Sequence, residues 1–513
     1  MTSEKSFVIR HSKNSSFPKI VLQTTMLAYQ LQLSIDKNAK QPAYLQLANQ
    51  LIQLIRAGEL RAGQKLMGSR SMAELLAIHR KTVVQAYDEL LIQGWLESKT
   101  GSGTYVAETL PEVAPQTLAE RTVEKVNPVK RAGFMFDEPA HLRRDVLTSG
   151  YALHLDDGFP DPRLAPLSEL SRAYRSQLLL GNPYVKLGYG DTKGSGWLRQ
   201  ELSSYLNETR GLKITPENIL ITRGTVMGVH LASAGLIRRG DVVVTGRMSW
   251  GTATTNFIQA GAQIEQIAVD EYGLVVEELE KLCQRTPVRL VYVTSHHDYP
   301  TTVTLRADRR LSLLKLAETY GFIVFEDDYD YDFHYLSKPL LPLASADRSG
   351  MVLYCGSFTK AISPAFRVGY LVGPEDVITH LARLRRIIDR QGDLMLENTV
   401  AELLQSGVIE RHLRKSLKEY RRRRDVFAEL LQNELNDYVH FQLPDGGMAI
   451  WALFDKKIDV EQLAARCLKQ DLFFSSGKHL HSTLNGTRLG FASSTEEELV
   501  RCVEVMKKGI LTL

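Results

Sequence analysis

Lys360 differs from the other lysines of this 513-residue chain in what surrounds it. It follows an apolar stretch, Val352-Leu353-Tyr354, that reads as a buried strand, and then a polar turn, Gly356-Ser357-Phe358-Thr359. Ser357 and Thr359 place hydroxyls just before the lysine, and Arg367 follows seven residues after it. Two hydroxyls and a guanidinium can hold one phosphate and leave the amine free for a carbonyl, as a lysine nucleophile requires. Standing alone, the segment fits a surface lysine on a loop equally well.

A second stretch supplies what such a lysine needs. Residues 322–325 form an apolar strand that ends in Glu326-Asp327-Asp328-Tyr329-Asp330. Alternation puts Asp327 and Tyr329 on one side. A carboxylate can keep a pyridine nitrogen protonated, so that the ring stays an electron sink, and a phenol can bond the ring's 3′ oxygen. Together with the lysine and the phosphate anchor, this is the requirement of pyridoxal 5′-phosphate (PLP), held by a Schiff base on Lys360. Both groups lie at the carboxyl end of a strand, where open α/β sheets bind ligands. Asp328 and Asp330 read instead as an acidic turn in solvent.

Three further places belong to the same chemistry. Residues 219–222 are a strand followed by a helix start, where backbone N–H groups of Gly224, Thr225 and Val226 can cradle a phosphate. Trp250, one of four tryptophans, offers a flat face for the pyridine ring; the alternative is a core tryptophan. Arg488, on a short strand, can pair bidentately with a substrate carboxylate, or is a surface arginine at a sheet edge.

The first 110 residues carry 13 basic and 8 acidic side chains, and the remainder 50 and 51, so the positive excess sits in the first fifth. That suits a small module facing a polyanion beside a larger neutral one. From Pro42 a helical period appears in Tyr44, Leu47, Leu51, Leu54 and Ile55, and Gly58 ends it. A second helix covers residues 71–76 and a third 80–93. Residues 95–98 and 104–107 then read as strands joined by Lys99-Thr100-Gly101-Ser102-Gly103. Three helices and a β-hairpin are the order of a winged helix-turn-helix. In the third helix Val83, Ala86, Tyr87, Leu90 and Leu91 share one face. Its leading Arg80-Lys81-Thr82 can enter a major groove, Arg70 at the second helix start can hold a phosphate, and Lys99 in the glycine wing can approach a minor groove. A helical docking module with a solvated basic face is the alternative on spacing alone.

The run from Lys65-Leu66-Met67-Gly68-Ser69-Arg70 through Arg80-Lys81-Thr82-Val83, Ala86-Tyr87, Gly94-Trp95-Leu96 and Gly101-Ser102-Gly103-Thr104-Tyr105-Val106 closely resembles the GntR-type winged-helix DNA-binding domain. Met67 stands where that family usually has Pro. The domain is expected over residues 38–107, and a Pro-interrupted, charged linker over 108–150.

Beyond the linker, strand-like and helical segments alternate, which predicts an α/β domain with a mostly parallel sheet and helices on both faces. A smaller, helix-rich α+β part follows. Residues 151–513 resemble fold type I PLP enzymes of the aminotransferase class I/II group. By that resemblance Lys360 is the Schiff-base lysine and Asp327 and Tyr329 are the ring partners. Ser357, Thr359 and Arg367 are phosphate ligands, Trp250 is the stacking aromatic, and Arg488 binds a carboxylate. Tyr189, in Gly188-Tyr189-Gly190-Asp191, matches a tyrosine that reaches the neighbouring subunit's site. The two halves in this order resemble the MocR/GabR family of bacterial regulators. The resemblance implies a head-to-tail homodimer on operator DNA with paired half-sites, sensing PLP or an amine or amino acid through an aldimine. Departures cluster near the pocket: Val226-Met227 for paired glutamines, Thr245-Gly246-Arg247-Met248, and His296 to Thr302. They leave the covalent set intact and fall where an effector is selected.

Four scattered cysteines without metal-ligand spacing argue for a reducing compartment and against a disulfide framework or a metal site. No apolar run is long enough for a membrane span or a signal peptide, so the chain is expected in the cytoplasm. The basic run Arg421–Arg424 offers a second DNA surface, but a solvated or dimer-facing helix side is preferred, because acidic residues balance the domain. Two functions remain: a regulator with weak or absent turnover, or a working aminotransferase with a regulatory DNA-binding module. The complete cofactor set disfavours a scaffold that binds no PLP.

Overall fold

The computed structural model describes residues 32–111, 129–143, 150–336, 340–480 and 484–513. Residues 1–31 and much of the 108–150 segment lie outside these. The chain divides into two compact units, Met1–Met135 and Phe136–Leu513.

In the first unit three helices, Ala43–Arg56, Ser69–Leu75 and Arg80–Ile92, precede an antiparallel hairpin of Leu96–Lys99 and Gly103–Val106. The helical period works as expected: Leu47, Leu51, Met72, Val83, Ala86 and Leu90 are fully buried in one core. Truncating one of its leucines to alanine costs about 2–5 kcal/mol. Leu91, expected on the same face, is half-buried at its margin. Gly101 takes φ +72° in the hairpin turn, a conformation that favours glycine.

The second unit is built on a seven-stranded sheet in the order Ile219–Thr222, Gly369–Val372, Val352–Ser357, Ile323–Asp328, Val288–Val293, Val242–Gly246, Gln263–Ile267. Only Gly369–Val372 runs against the others. Helices cover both faces, and strand alternation divides the apolar residues between them. Val243, Leu290 and Phe325 pack under helices Thr225–Leu236 and Gly251–Gln259. Val242, Val244, Val291 and Val324 pack under Val276–Cys283 and Ala307–Tyr320. A sheet buried on two faces needs such continuous apolar strands. A three-stranded antiparallel sheet follows, Val439–Phe441, Ala449–Phe454 and Gly486–Gly490, packed with helices Val408–Leu435 and Glu496–Leu511.

Two strands run further than the sequence suggests. Val352–Ser357 ends on Ser357 itself, and Ile323–Asp328 takes in Glu326, Asp327 and Asp328. The expected solvent-exposed acidic turn at Asp328 and Asp330 is therefore wrong. Both are buried, because Tyr354 Oη donates to Asp328 at 2.6 Å and Asp330 lies 2.7 Å from His297 Nδ1.

Part of the basic run on the long helix is structural. Arg423 is buried on Asp161 and the Ala492 carbonyl, and Arg424 on Asp425 and the Pro444 carbonyl. Arg422 pairs with Glu496. Among the described residues no helix is long and apolar enough to cross a membrane, and no side-chain cluster has metal-binding geometry. All four cysteines are free and buried.

Candidate functional site

The carboxyl ends of the central strands open into a cavity of about 330 Å³. Lys360, Asp327, Tyr329, Ser357, Thr359 and Arg367 line it, together with Thr225, Val226, Trp250 and Arg488. Residues spread over more than 260 positions of sequence thus meet in one place. Lys360 is half-buried, and burial lowers its amine below the ordinary lysine value, partly offset by Asp157 and Asp156. Its Nζ donates to the Gly158 carbonyl and lies 4.6 Å from the Phe159 ring centroid.

One end of the cavity gathers the hydroxyls of Ser357 and Thr359, the Arg367 guanidinium and a helix start, groups that can cradle an anion. Ser357 Oγ donates to Thr359 Oγ1 at 2.7 Å and accepts from the Thr359 backbone N–H at 3.1 Å. Helix Thr225–Leu236 starts beside them with no side chain capping it, so its positive end faces the site. Gly224 precedes it with φ +79° and ψ 177°, a region nearly closed to other residues. A Cβ there would lie 2.8 Å from the Arg367 guanidinium. Arg367, in a left-handed conformation at φ 48°, donates to the Arg223 carbonyl at 2.9 Å. Gly369 allows this closeness, since its own Cβ would meet the Gly224 Cα at 2.7 Å.

At the other side Tyr292 Oη donates to Asp327 Oδ2 at 2.7 Å, while Asp327 Oδ1 is buried with no partner among the described residues. Burial pushes the Asp327 carboxyl up to about 7. A partnerless buried carboxylate oxygen and an uncapped helix start around a glycine cradle fit a phosphorylated, protonated pyridine ring. Tyr329 Oη donates to the His297 carbonyl at 2.9 Å, and burial holds its phenol well above the ordinary value. Trp250 is half-buried, packing at the edges of two apolar clusters while it lines the cavity.

Arg488 is buried rather than a surface arginine at a sheet edge. Its Nε lies 2.8 Å from Asp157 Oδ1, its Nη1 donates to the Pro300 carbonyl at 3.1 Å, and its guanidinium lies 5.0 Å from the Tyr299 ring centroid. Tyr189 is not brought to this cavity; it is 79% exposed, with Arg390 over its ring at 4.1 Å. Sequence reasoning missed Tyr292, Tyr299 and Asp157. Tyr292 is the last residue but one of an apolar strand, a signal that was available, whereas Asp157 meets Arg488 only through the fold.

In the first unit, Arg70, Arg80, Lys81, Lys99 and Gly101 are exposed and Thr82 is half-buried. His79 accepts the Lys81 backbone N–H at 3.2 Å, which starts the helix where the basic residues begin. Arg80 Nε donates to Ser69 Oγ at 3.3 Å, tying the leading arginine to the preceding helix. Lys99 is engaged within the wing, 3.1 Å from Glu97 and over the Tyr105 ring.

Comparison with known proteins agrees with both units. Residues 180–506 match the model of aminotransferase class I and II, and residues 43–106 that of bacterial regulatory proteins of the gntR family. The probable rhizopine catabolism regulatory protein MocR of Rhizobium meliloti is 28% identical over 94% of this chain and 96% of its own length. Aromatic-amino-acid aminotransferase 1 of Thermococcus litoralis is 27% identical over 73% of this chain and 92% of its own. The crystal structure of Pyrococcus horikoshii kynurenine aminotransferase, complexed with PMP, superposes with a TM-score of 0.65 at 27% identity, over 71% of this chain and 92% of that one. The chain belongs to the aminotransferase class I and II family, joined to a gntR-family helix-turn-helix module in the fusion found in MocR-type regulators.

Proposed function

We propose that this protein is a PLP-dependent, DNA-binding transcription regulator of the cytoplasm, in which the aminotransferase-like unit senses PLP itself or an amine-bearing effector. One observation carries the cofactor reading: Asp327, one of whose oxygens is buried without a partner, lines the same cavity as Lys360. Asp327 holds a proton on the ring nitrogen, and Tyr329 bonds the ring oxygen. Ser357, Thr359, Arg367 and the helix start at Gly224–Val226 hold the phosphate, and Trp250 covers the ring face. When bound, PLP supplies a carbonyl carbon for a primary amine and a ring that draws electrons from it.

The DNA-binding reading rests on the exposed Arg80 and Lys81 and the half-buried Thr82 at the start of helix Arg80–Ile92, with exposed Arg70 on the preceding helix and the wing at Lys99 and Gly101. A homodimer on paired half-sites completes it. An effector changes DNA binding only by its differential affinity for two states of the protein. The deciding experiment is selection of bound fragments from genomic DNA, with and without PLP and candidate amines. Enrichment of no sequence under any condition would overturn the regulator reading.

A working aminotransferase is the second reading, favoured by the full set around Lys360. Sustained turnover of an amino-acid and keto-acid pair at enzyme-like rates would support it.

A further inference from the structure

Arg488 already faces a carboxylate from its own chain. Asp157 Oδ1 lies 2.8 Å from Arg488 Nε, an ion pair whose N–H is not aligned for a hydrogen bond, and Asp157 Oδ2 accepts from Tyr299 Oη at 2.9 Å. Arg488 Nη1 donates to the Pro300 carbonyl at 3.1 Å. Bidentate capture of an incoming carboxylate needs two adjacent guanidinium nitrogens. Each of the two forks, Nε with Nη2 and Nη1 with Nη2, has one nitrogen facing a protein oxygen.

Asp157 is placed there by the fold. Asp156 Oδ1 accepts the backbone N–H groups of Gly158 at 2.9 Å and Phe159 at 2.8 Å, which tightens the loop around Asp157. The Gly490 N–H donates to the Asp156 carbonyl at 2.8 Å, and Ser493 Oγ to Asp156 Oδ2 at 2.7 Å. The loop is thereby stitched to strand Gly486–Gly490, which carries Arg488. The same loop delivers the Gly158 carbonyl and the Phe159 ring to Lys360. The loop of Asp157 therefore touches both the lysine and the arginine, and Asp157 lines the cavity with them.

The charges close on themselves. Asp157, Asp327, Lys360, Arg367 and Arg488 all line the cavity. With a phosphate on Arg367 and a ring nitrogen on Asp327, the pair left beside Lys360 is Asp157 and Arg488, which cancel. An α-amino acid would bring a second carboxylate against Asp157, and one of the two would lose its cation in a buried place, at high cost. A repulsive element of this kind is how a site rejects one ligand class while admitting another.

We propose that Asp157 is a specificity-determining residue: its carboxylate takes the place of an effector carboxylate on Arg488, and the site takes primary amines lacking an α-carboxylate in preference to α-amino acids. This rests on the PLP reading above. The test uses the full-length chain loaded with PLP, titrated with matched pairs, phenethylamine against L-phenylalanine and ethylamine against L-alanine. Half-saturation is read from the cofactor's visible absorbance and from the melting temperature. Wild type should take each amine about ten-fold or more tighter than its amino acid, the scale of one hydrogen bond to a charged group. Asp157→Asn should reverse the order, and should bind propionate in a calorimetric titration where wild type does not. Asp157→Ala repeats the comparison without an amide that can stay on Arg488. Equal capture of amine and amino acid by wild type overturns the proposal, as does an unchanged preference in both variants. Absence of lysine-bound cofactor absorbance in wild type would instead sink the PLP reading, and this inference with it.

Discussion

Tyr292 donates a hydrogen bond to one oxygen of Asp327 at 2.7 Å and leaves the other oxygen buried and unpartnered. The phenol fixes the orientation of a carboxyl that lines the cavity. Tyr292→Phe should weaken PLP affinity by about 0.5–1.5 kcal/mol, the net worth of one such bond, without abolishing it. Equilibrium titration of the cofactor-free chain with PLP measures this.

Burial raises Asp327 to about 7, against about 3.9 for a solvated aspartate. Between those values the folded, cofactor-free chain binds a proton that the unfolded chain does not. The stability this group contributes is full below about pH 4 and is lost as pH rises through 7. Asp327→Asn removes that component, whereas Asp298, also raised to about 7 by burial, remains in both chains. Urea denaturation at pH 5 and pH 8 should show wild type losing more stability than the variant over this interval. An equal loss in the two would contradict a proton held on Asp327.

The lysine assignment has a direct spectral consequence. Wild type should show the visible absorbance of lysine-bound PLP, and Lys360→Ala should lack it. A borohydride-reducible adduct persisting in the variant would place the attachment on another lysine.

Gly224→Ala should cost about 1–3 kcal/mol of stability, from the backbone conformation alone. It should also weaken PLP binding, because the new methyl presses on the Arg367 guanidinium. Thermal melting with and without cofactor separates the two effects. A larger destabilisation in the PLP-bound form is expected.

Arg70→Ala, Arg80→Ala and Thr82→Ala should weaken operator binding, by about 1–3 kcal/mol where a base edge is read. Affinity should also fall steeply with salt, through counterion release. Fluorescence anisotropy on a selected operator, over a salt series, tests both. Unchanged binding in all three variants would show that another face of the module meets DNA.

Residues 178–189 leave Leu179, Leu180, Tyr184, Val185, Leu187 and Tyr189 exposed by 63% or more. An apolar surface of this kind marks an interface, and the resemblance assigns Tyr189 to a neighbouring subunit's site. The chain should sediment as a homodimer at micromolar concentration, and Val185→Glu should shift it towards monomer. A monomeric wild type with full PLP occupancy would contradict this.

That Lys360, Asp327, Tyr329, Ser357, Thr359 and Arg367 meet in one cavity was legible because they cluster at strand ends and keep short, fixed spacings. Asp327 lies at the end of one strand with Tyr329 just beyond it, and Ser357 ends another strand whose following turn carries Thr359 and Lys360. What escaped depends on distant partners. Asp328 and Asp330 read as solvated because Tyr354 and His297 cannot be assigned to them from local text. Arg423 reads as a surface cation until Asp161, 262 residues away, is placed beneath it. Asp157 is polar and loop-borne, and nothing near it in sequence points to Arg488. The helices of the first unit, by contrast, follow from local periodicity, and their ends lie within three residues of the expected ones.

The reversed strand Gly369–Val372 has a consequence for assembly. Edge strand Ile219–Thr222 is hydrogen-bonded to the rest of the sheet through it. Because it runs backwards, its leading end lies at the trailing ends of its neighbours, which sets Arg367 against Gly224. The Gly224 helix start and the turn that carries Thr359 follow the strands on either side of this one insertion. An anion gripped by Gly224 and Arg367 together would therefore clip the edge strand to the rest of the sheet.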